Sequence, residues 1–112
     1  MEKSFDLQNQ GAINISMELN KIIKIKVSEG NLNYENKFTL ENLKLKNKYF
    51  QVCELNEIFL IINKSIENKK ITVNKISNTF ALKISIEFYN NMTEAEFILI
   101  NKEENKDRNM DR

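Results

Sequence analysis

The sequence predicts an α+β fold: a mostly antiparallel sheet or small β-sandwich of five or six strands, with a short helix and a long amphipathic helix inserted before the last three strands. Three observations carry this. Apolar residues alternate with polar ones over Ala12–Val27, the period of a half-buried strand. From about Glu54 to Lys69 the period changes to that of a helix, with Leu55, Ile58, Phe59, Ile62 and Ile66 on one stripe. Alternation then resumes over Ile71–Ile76, Thr79–Tyr89 and Thr93–Ile100.

Each element has its own warrant. Residues 1–11 are polar, end at Gly11 and read as a frayed N-terminus. In the first alternating run Ile13, Ile15, Met17 and Leu19 share one face, and Ile23, Ile25 and Val27 continue the pattern after Lys21. A tight turn at Leu19–Lys21 makes the two runs a hairpin; a single long bent strand is the alternative. Glu29-Gly30-Asn31 is a turn, since Gly and Asn tolerate positive φ. Leu32–Phe38 reads as a third strand.

Thr39 is the expected N-cap of a short helix defined by Leu40 and Leu43, with Phe50 and Val52 anchoring the connection that follows. The polar face of the long helix carries Asn56, Asn63, Lys64 and Glu67, and Lys69 and Lys70 suit the negative pole of its dipole. Phe80, Leu82, Ile84, Ile86 and Phe88 form the strongest strand signal, and Asn90-Asn91 closes its hairpin. Residues 12–100 thus make a single α+β domain, and 101–112 a charged tail.

Composition narrows the chemistry. The chain has 112 residues, a net charge of +1, one cysteine, two glycines and no histidine, proline or tryptophan. Asn, Lys and Ile dominate, as AT-rich coding would favour, so single Asn and Lys residues carry little weight. With no histidine, a Ser-His-Asp or Cys-His arrangement is impossible. Glu94 and Glu96 would lie about 7 Å apart on one strand face, and read as a solvated face rather than paired acids or a metal site. Cys53, beside Glu54, reads as structural rather than nucleophilic.

Gly11 and Gly30 belong to no phosphate-binding loop. The Lys24/Lys26 and Lys44/Lys46/Lys48 series read as solvated faces, and the scattered Tyr34, Tyr49 and Tyr89 form no stacking platform, so nucleic acid is not an expected partner. The longest apolar stretch, Ile58–Ile62, falls far short of a membrane span, and the N-terminus lacks a signal-peptide pattern. The expected setting is intracellular, soluble and cytoplasmic. No catalytic residue, cofactor or metal ligand is assigned, and the chain is not expected to be an enzyme.

The order of elements resembles one superfamily, most clearly in Phe38-Thr39-Leu40-Glu41-Asn42-Leu43, Leu55–Ile66 and Thr79–Ile100. It is similar to the globular head of the end-joining scaffold proteins and the centriolar cartwheel protein. There a small β-sandwich clasping a helix–turn–helix precedes a dimeric coiled coil. It looks equally like an uncharacterised α+β module of AT-rich protists. The resemblance implies a non-catalytic scaffold of the cytoskeletal kind, self-associating as a homodimer. In the cartwheel branch an apolar residue on the matching hairpin serves head-to-head association, and Tyr89 or Met92 would stand there.

Phe88, Tyr89 and Met92 also put bulky side chains around a turn where polar ones are usual, either as an anchor for a partner or packed back onto the sheet. The expected function is therefore protein–protein interaction through Phe88, Tyr89 and Met92. A carrier of a small apolar ligand or lipid is the first alternative, and an accessory subunit or inhibitor of an enzyme the second.

Overall fold

A computed structural model describes residues 2–7, 11–88 and 90–101, the side chain of Phe88 excepted, and these residues form seven strands and two helices. In chain order they are β1 (Glu2–Asp6), β2 (Ala12–Glu18), β3 (Ile22–Glu29), β4 (Leu32–Thr39), α1 (Leu40–Lys46), α2 (Leu55–Glu67), β5 (Ile71–Ile76), β6 (Thr79–Phe88) and β7 (Asn91–Asn101). A 3-10 turn, Lys48–Val52, links the helices. The strands form one sheet in the order β1-β2-β3-β4-β7-β6-β5, antiparallel throughout.

This architecture corrects the expected fold class. Among the described residues there is no sandwich of five or six strands and no long helix. A single seven-stranded sheet curls into a half-barrel over two short helices of 7 and 13 residues. Alternation assigns faces but not neighbours, and the pairing of β4 with β7 joins residues far apart in the chain. The segment expected to fray also supplies a strand: β1 pairs with β2 from Glu2↔Ser16 to Asp6↔Ala12. Its own residues are mostly exposed, and only Phe5 leans on the core. After β1 the chain turns back through a hydrogen bond from Leu7 N–H to the Gly11 carbonyl (2.7 Å). Gly11 has φ +91°, and a Cβ there would collide with the Ser28 carbonyl oxygen.

The Leu19 alternation ends in a tight hairpin, as one of the two readings required. Lys21 N–H donates to the Glu18 carbonyl (2.9 Å), with Leu19 and Asn20 at φ 54° and 55°. Positive φ at both central residues suits the right-handed twist of the strands. Leu19 therefore leaves the core face and sits at the tip.

The curl is visible in contacts that skip strands. Tyr34 on β4 lies 5.4 Å from Phe80 on β6, ring centre to ring centre. Lys75 on β5 reaches Glu29 at the end of β3. α2 packs against β6 on one side and against β1, β2 and β3 on the other, filling the concave face. Its stripe of Leu55, Ile58, Phe59, Ile62 and Ile66 is buried there against Ile13, Ile25, Leu82 and Phe97. Neither surface could stay apolar without the other. Among the described residues no helix is long and apolar enough to cross a membrane.

The two meanders meet at a narrow seam. Backbone pairing of β4 with β7 covers only Tyr34↔Asn101 and Glu35↔Ile100. Beyond it the strands part, and three side chains donate to alternate β7 carbonyls: Asn36 Nδ2 to Ile98 O (2.9 Å), Lys46 Nζ to Glu96 O (2.9 Å) and Asn47 Nδ2 to Glu94 O (3.0 Å). α1 is set in the gap by a reciprocal cap in which Asn42 N–H donates to Thr39 Oγ1 and Thr39 N–H to Asn42 Oδ1, each 3.1 Å.

α2 stops at Glu67 because the chain turns left-handed. Lys69 has φ 59°, Lys69 N–H donates to Ile66 O (3.0 Å), and Lys70 N–H donates to Ser65 O (2.8 Å). This is a Schellman closure with lysine where glycine is usual. Lys69→Gly should stabilise the chain by about 0.5–1 kcal/mol by removing that strain, read as a higher urea midpoint. Ile84→Ala, which empties a fully buried position on β6, should cost about 2–5 kcal/mol. An unchanged midpoint for Ile84→Ala would contradict its place in the core.

Candidate functional site

The expected association residues sit where β6 turns into β7, but the structure describes only part of them. Phe88 ends β6 and pairs with Asn91, while its side chain and the whole of Tyr89 lie outside the described residues. Met92 is 62 % exposed, on the convex face that β7 also gives to Glu94 and Glu96.

Register places other exposed apolar residues at the same end of the sheet. Ile22 at the start of β3 faces Thr39 at the end of β4, and Phe38 packs edge-on against Phe97 at 5.2 Å. The β2–β3 tip, α1 with its 3-10 turn and the β6–β7 turn therefore share one end. Leu19 (86 % exposed), Leu45 (86 %) and Val52 (78 %) belong to it. Val52 was expected to anchor the connection, yet only Phe50 does so, being fully buried. Leu19 escaped notice because alternation assigned it to the core. The visible clue was the two-residue turn, which ends the alternation one residue earlier.

A cation stands behind this rim. Lys46 Nζ lies 5.0 Å from the Phe38 ring centre and 5.4 Å from that of Phe97 while bonding the Glu96 carbonyl. Burial pushes its pKa below the usual lysine range, partly offset by the nearby Glu96 carboxylate. Asn47 is fully engaged: Nδ2 donates to Thr93 Oγ1 (3.1 Å) and Glu94 O, and Oδ1 accepts from Tyr49 N–H (2.9 Å). These groups hold the seam together and are spent in doing so.

The residues considered for chemistry are dispersed. Glu94 and Glu96 are exposed on the convex face, and no group of three His, Cys, Asp or Glu residues able to hold a metal occurs among the described residues. Cys53 is buried at the entry to α2, where its thiol donates to the Tyr49 carbonyl (3.2 Å). Burial, and then the Glu57 carboxylate, raises its pKa.

Depressions flank α2 among the described residues. One, of about 490 Å³, lies toward β6 and is lined by Lys64, Ser65, Lys70 and Glu87 among others. A second, of about 580 Å³, lies toward β1 and includes Phe59, Leu60 and Asn63. A third, of about 430 Å³, separates the two sheet edges, with Leu7 on one side and Ile71 and Val73 on the other. Asn63 was expected on the polar face of α2, but it is buried. Its signal was weak, since a polar residue flanking an apolar stripe has no distinctive spacing.

No family model matches the chain, and no curated protein is detectably similar to it in sequence.

The setting of Cys53 gives a direct expectation. A buried thiol with a raised pKa is mostly protonated near neutral pH and shielded from reagents. Reaction with a disulfide reagent should be at least about tenfold slower in the folded chain than in urea. Equal rates would mean that Cys53 is open to solvent.

Proposed function

We propose that this chain is a non-catalytic protein-association module that uses the end of the sheet carrying Leu19, Leu45, Val52 and Met92, and that its partner is a second copy of the chain. The observation that carries this reading is Leu19. A branched apolar side chain in the left-handed region costs about 1–2 kcal/mol of backbone strain, and here it is 86 % exposed as well. Asn or Gly would suit the turn better on both counts. No contact among the described residues covers Leu19, whereas burial against another surface would offset both costs.

Met92 extends the same rim from the opposite meander, and Leu45 and Val52 extend it from the segment that bridges the two. Apolar residues grouped at the end of a domain are the usual centre of an interface, with charged residues at its margin. The dispersal of the carboxylates, with no group of three His, Cys, Asp or Glu residues together among the described residues, favours association over chemistry.

Sedimentation velocity at micromolar concentrations tests the reading. The wild-type chain should self-associate. Leu19→Asn should weaken association by at least about tenfold while raising Tm, because the strain at the turn is relieved. Met92→Ser should weaken association with Tm nearly unchanged. A wild-type chain that stays monomeric, or a Leu19→Asn variant that associates as before, would sink the proposal.

A further inference from the structure

We propose that the groove between α2 and β1 binds a small, neutral, amphipathic ligand with an adjacent hydrogen-bond donor and acceptor, of the amide or lactam class. The key residue is Asn63. It is only 6 % exposed, and neither Oδ1 nor Nδ2 has a hydrogen-bond partner. Buried amides are almost always satisfied, because an unmade bond leaves the full desolvation cost standing. The other buried polar side chains on the helical segment follow that rule: Asn47 makes three bonds, and Ser65 Oγ donates to the Ser85 carbonyl (3.0 Å). Asn63 alone among these is left with both a donor and an acceptor unused.

The surroundings define the ligand. Asn63 lines a groove of about 580 Å³ with Phe59, Leu60, Glu2, Lys3 and Lys64, within the range of about 300–1,000 Å³ usual for small-molecule sites. The exposed Leu60, beside the buried Phe59, gives an apolar surface for the body of a ligand. At the rim Glu2 and Glu67 balance Lys3 and Lys64, so the site has no net charge with which to select an anion or a cation. A carboxamide is complemented by a group that offers one acceptor and one donor side by side, which an amide or lactam edge does. One wall is β1, an edge strand paired on one side only and exposed along most of its length, so access to Asn63 requires displacing little. This inference does not rest on the association surface at the end of the sheet.

The test uses the intact chain, labelled with 15N, titrated with benzamide and separately with acetophenone, which has the same shape but lacks the donor. Benzamide should shift the Asn63 Nδ2 resonances and the backbone amides of Lys3 and Lys64, and should bind at least about tenfold more tightly than acetophenone. Asn63→Leu should abolish that preference and raise Tm by about 4 °C or more, since it removes a buried unpaired amide. No shift with benzamide, or equal binding of the two probes, would overturn the proposal. So would a lower Tm in Asn63→Leu, because it would mean that the amide supports the fold. If Asn63→Leu does not fold, the amide is structural and the proposal also fails.

Discussion

The fold depends on how β4 and β7 are joined while they part. Two residue pairs of backbone ladder cannot by themselves hold two meanders as one sheet, and the β7 carbonyls beyond them have no strand on that side to accept from. Asn36, Lys46 and Asn47 take the place of a neighbouring strand by donating to the carbonyls of Ile98, Glu96 and Glu94. The two amides and one ammonium come from β4 and from the end of α1. The short helix is therefore part of the sheet's hydrogen bonding, and its reciprocal cap at Thr39 and Asn42 fixes where its donors fall.

Because the strands separate at that seam, the sheet can curl, and because it curls it needs a filling. α2 supplies one with five apolar residues on a single stripe, and Ser65 fastens its far end to β6. The helix also lies between the two free edges of the sheet, which leaves grooves along its flanks. One such groove holds the unpaired amide of Asn63, so the same packing that completes the core creates its least satisfied polar group.

The sequence made the faces of most elements legible but not the arrangement of the strands. Ile71–Ile76 and the start of the following strand at Thr79 could be read directly, and Thr39 caps α1 as its hydroxyl allowed. Strand β1 was missed because Glu2-Lys3-Ser4-Phe5-Asp6 has no apolar alternation and is held by pairing with β2 rather than by burial. The choice of one sheet over a sandwich rests on Tyr34 and Glu35 meeting Asn101 and Ile100, a long-range pairing that no local pattern encodes. Of the candidate association residues, Met92 was legible as a bulky residue at a turn. Leu19 was not, because its strand alternation was correct up to the residue before it.

The ion pair between Lys75 and Glu29 bears on how an open edge of the sheet is guarded. β5 is a terminal strand, and its outer backbone groups would accept a strand from another molecule. Lys75 lies on the same face as Phe80, at the mouth of the half-barrel, and is held there by Glu29. A strand laid along β5 would have to bring its own inner face beside that ammonium and carboxylate and strip water from both. An inward-facing charge on an edge strand is a recurrent guard against open-ended sheet growth. Here the guard is tethered to the opposite meander, so where its ammonium sits is set by the curl of the sheet.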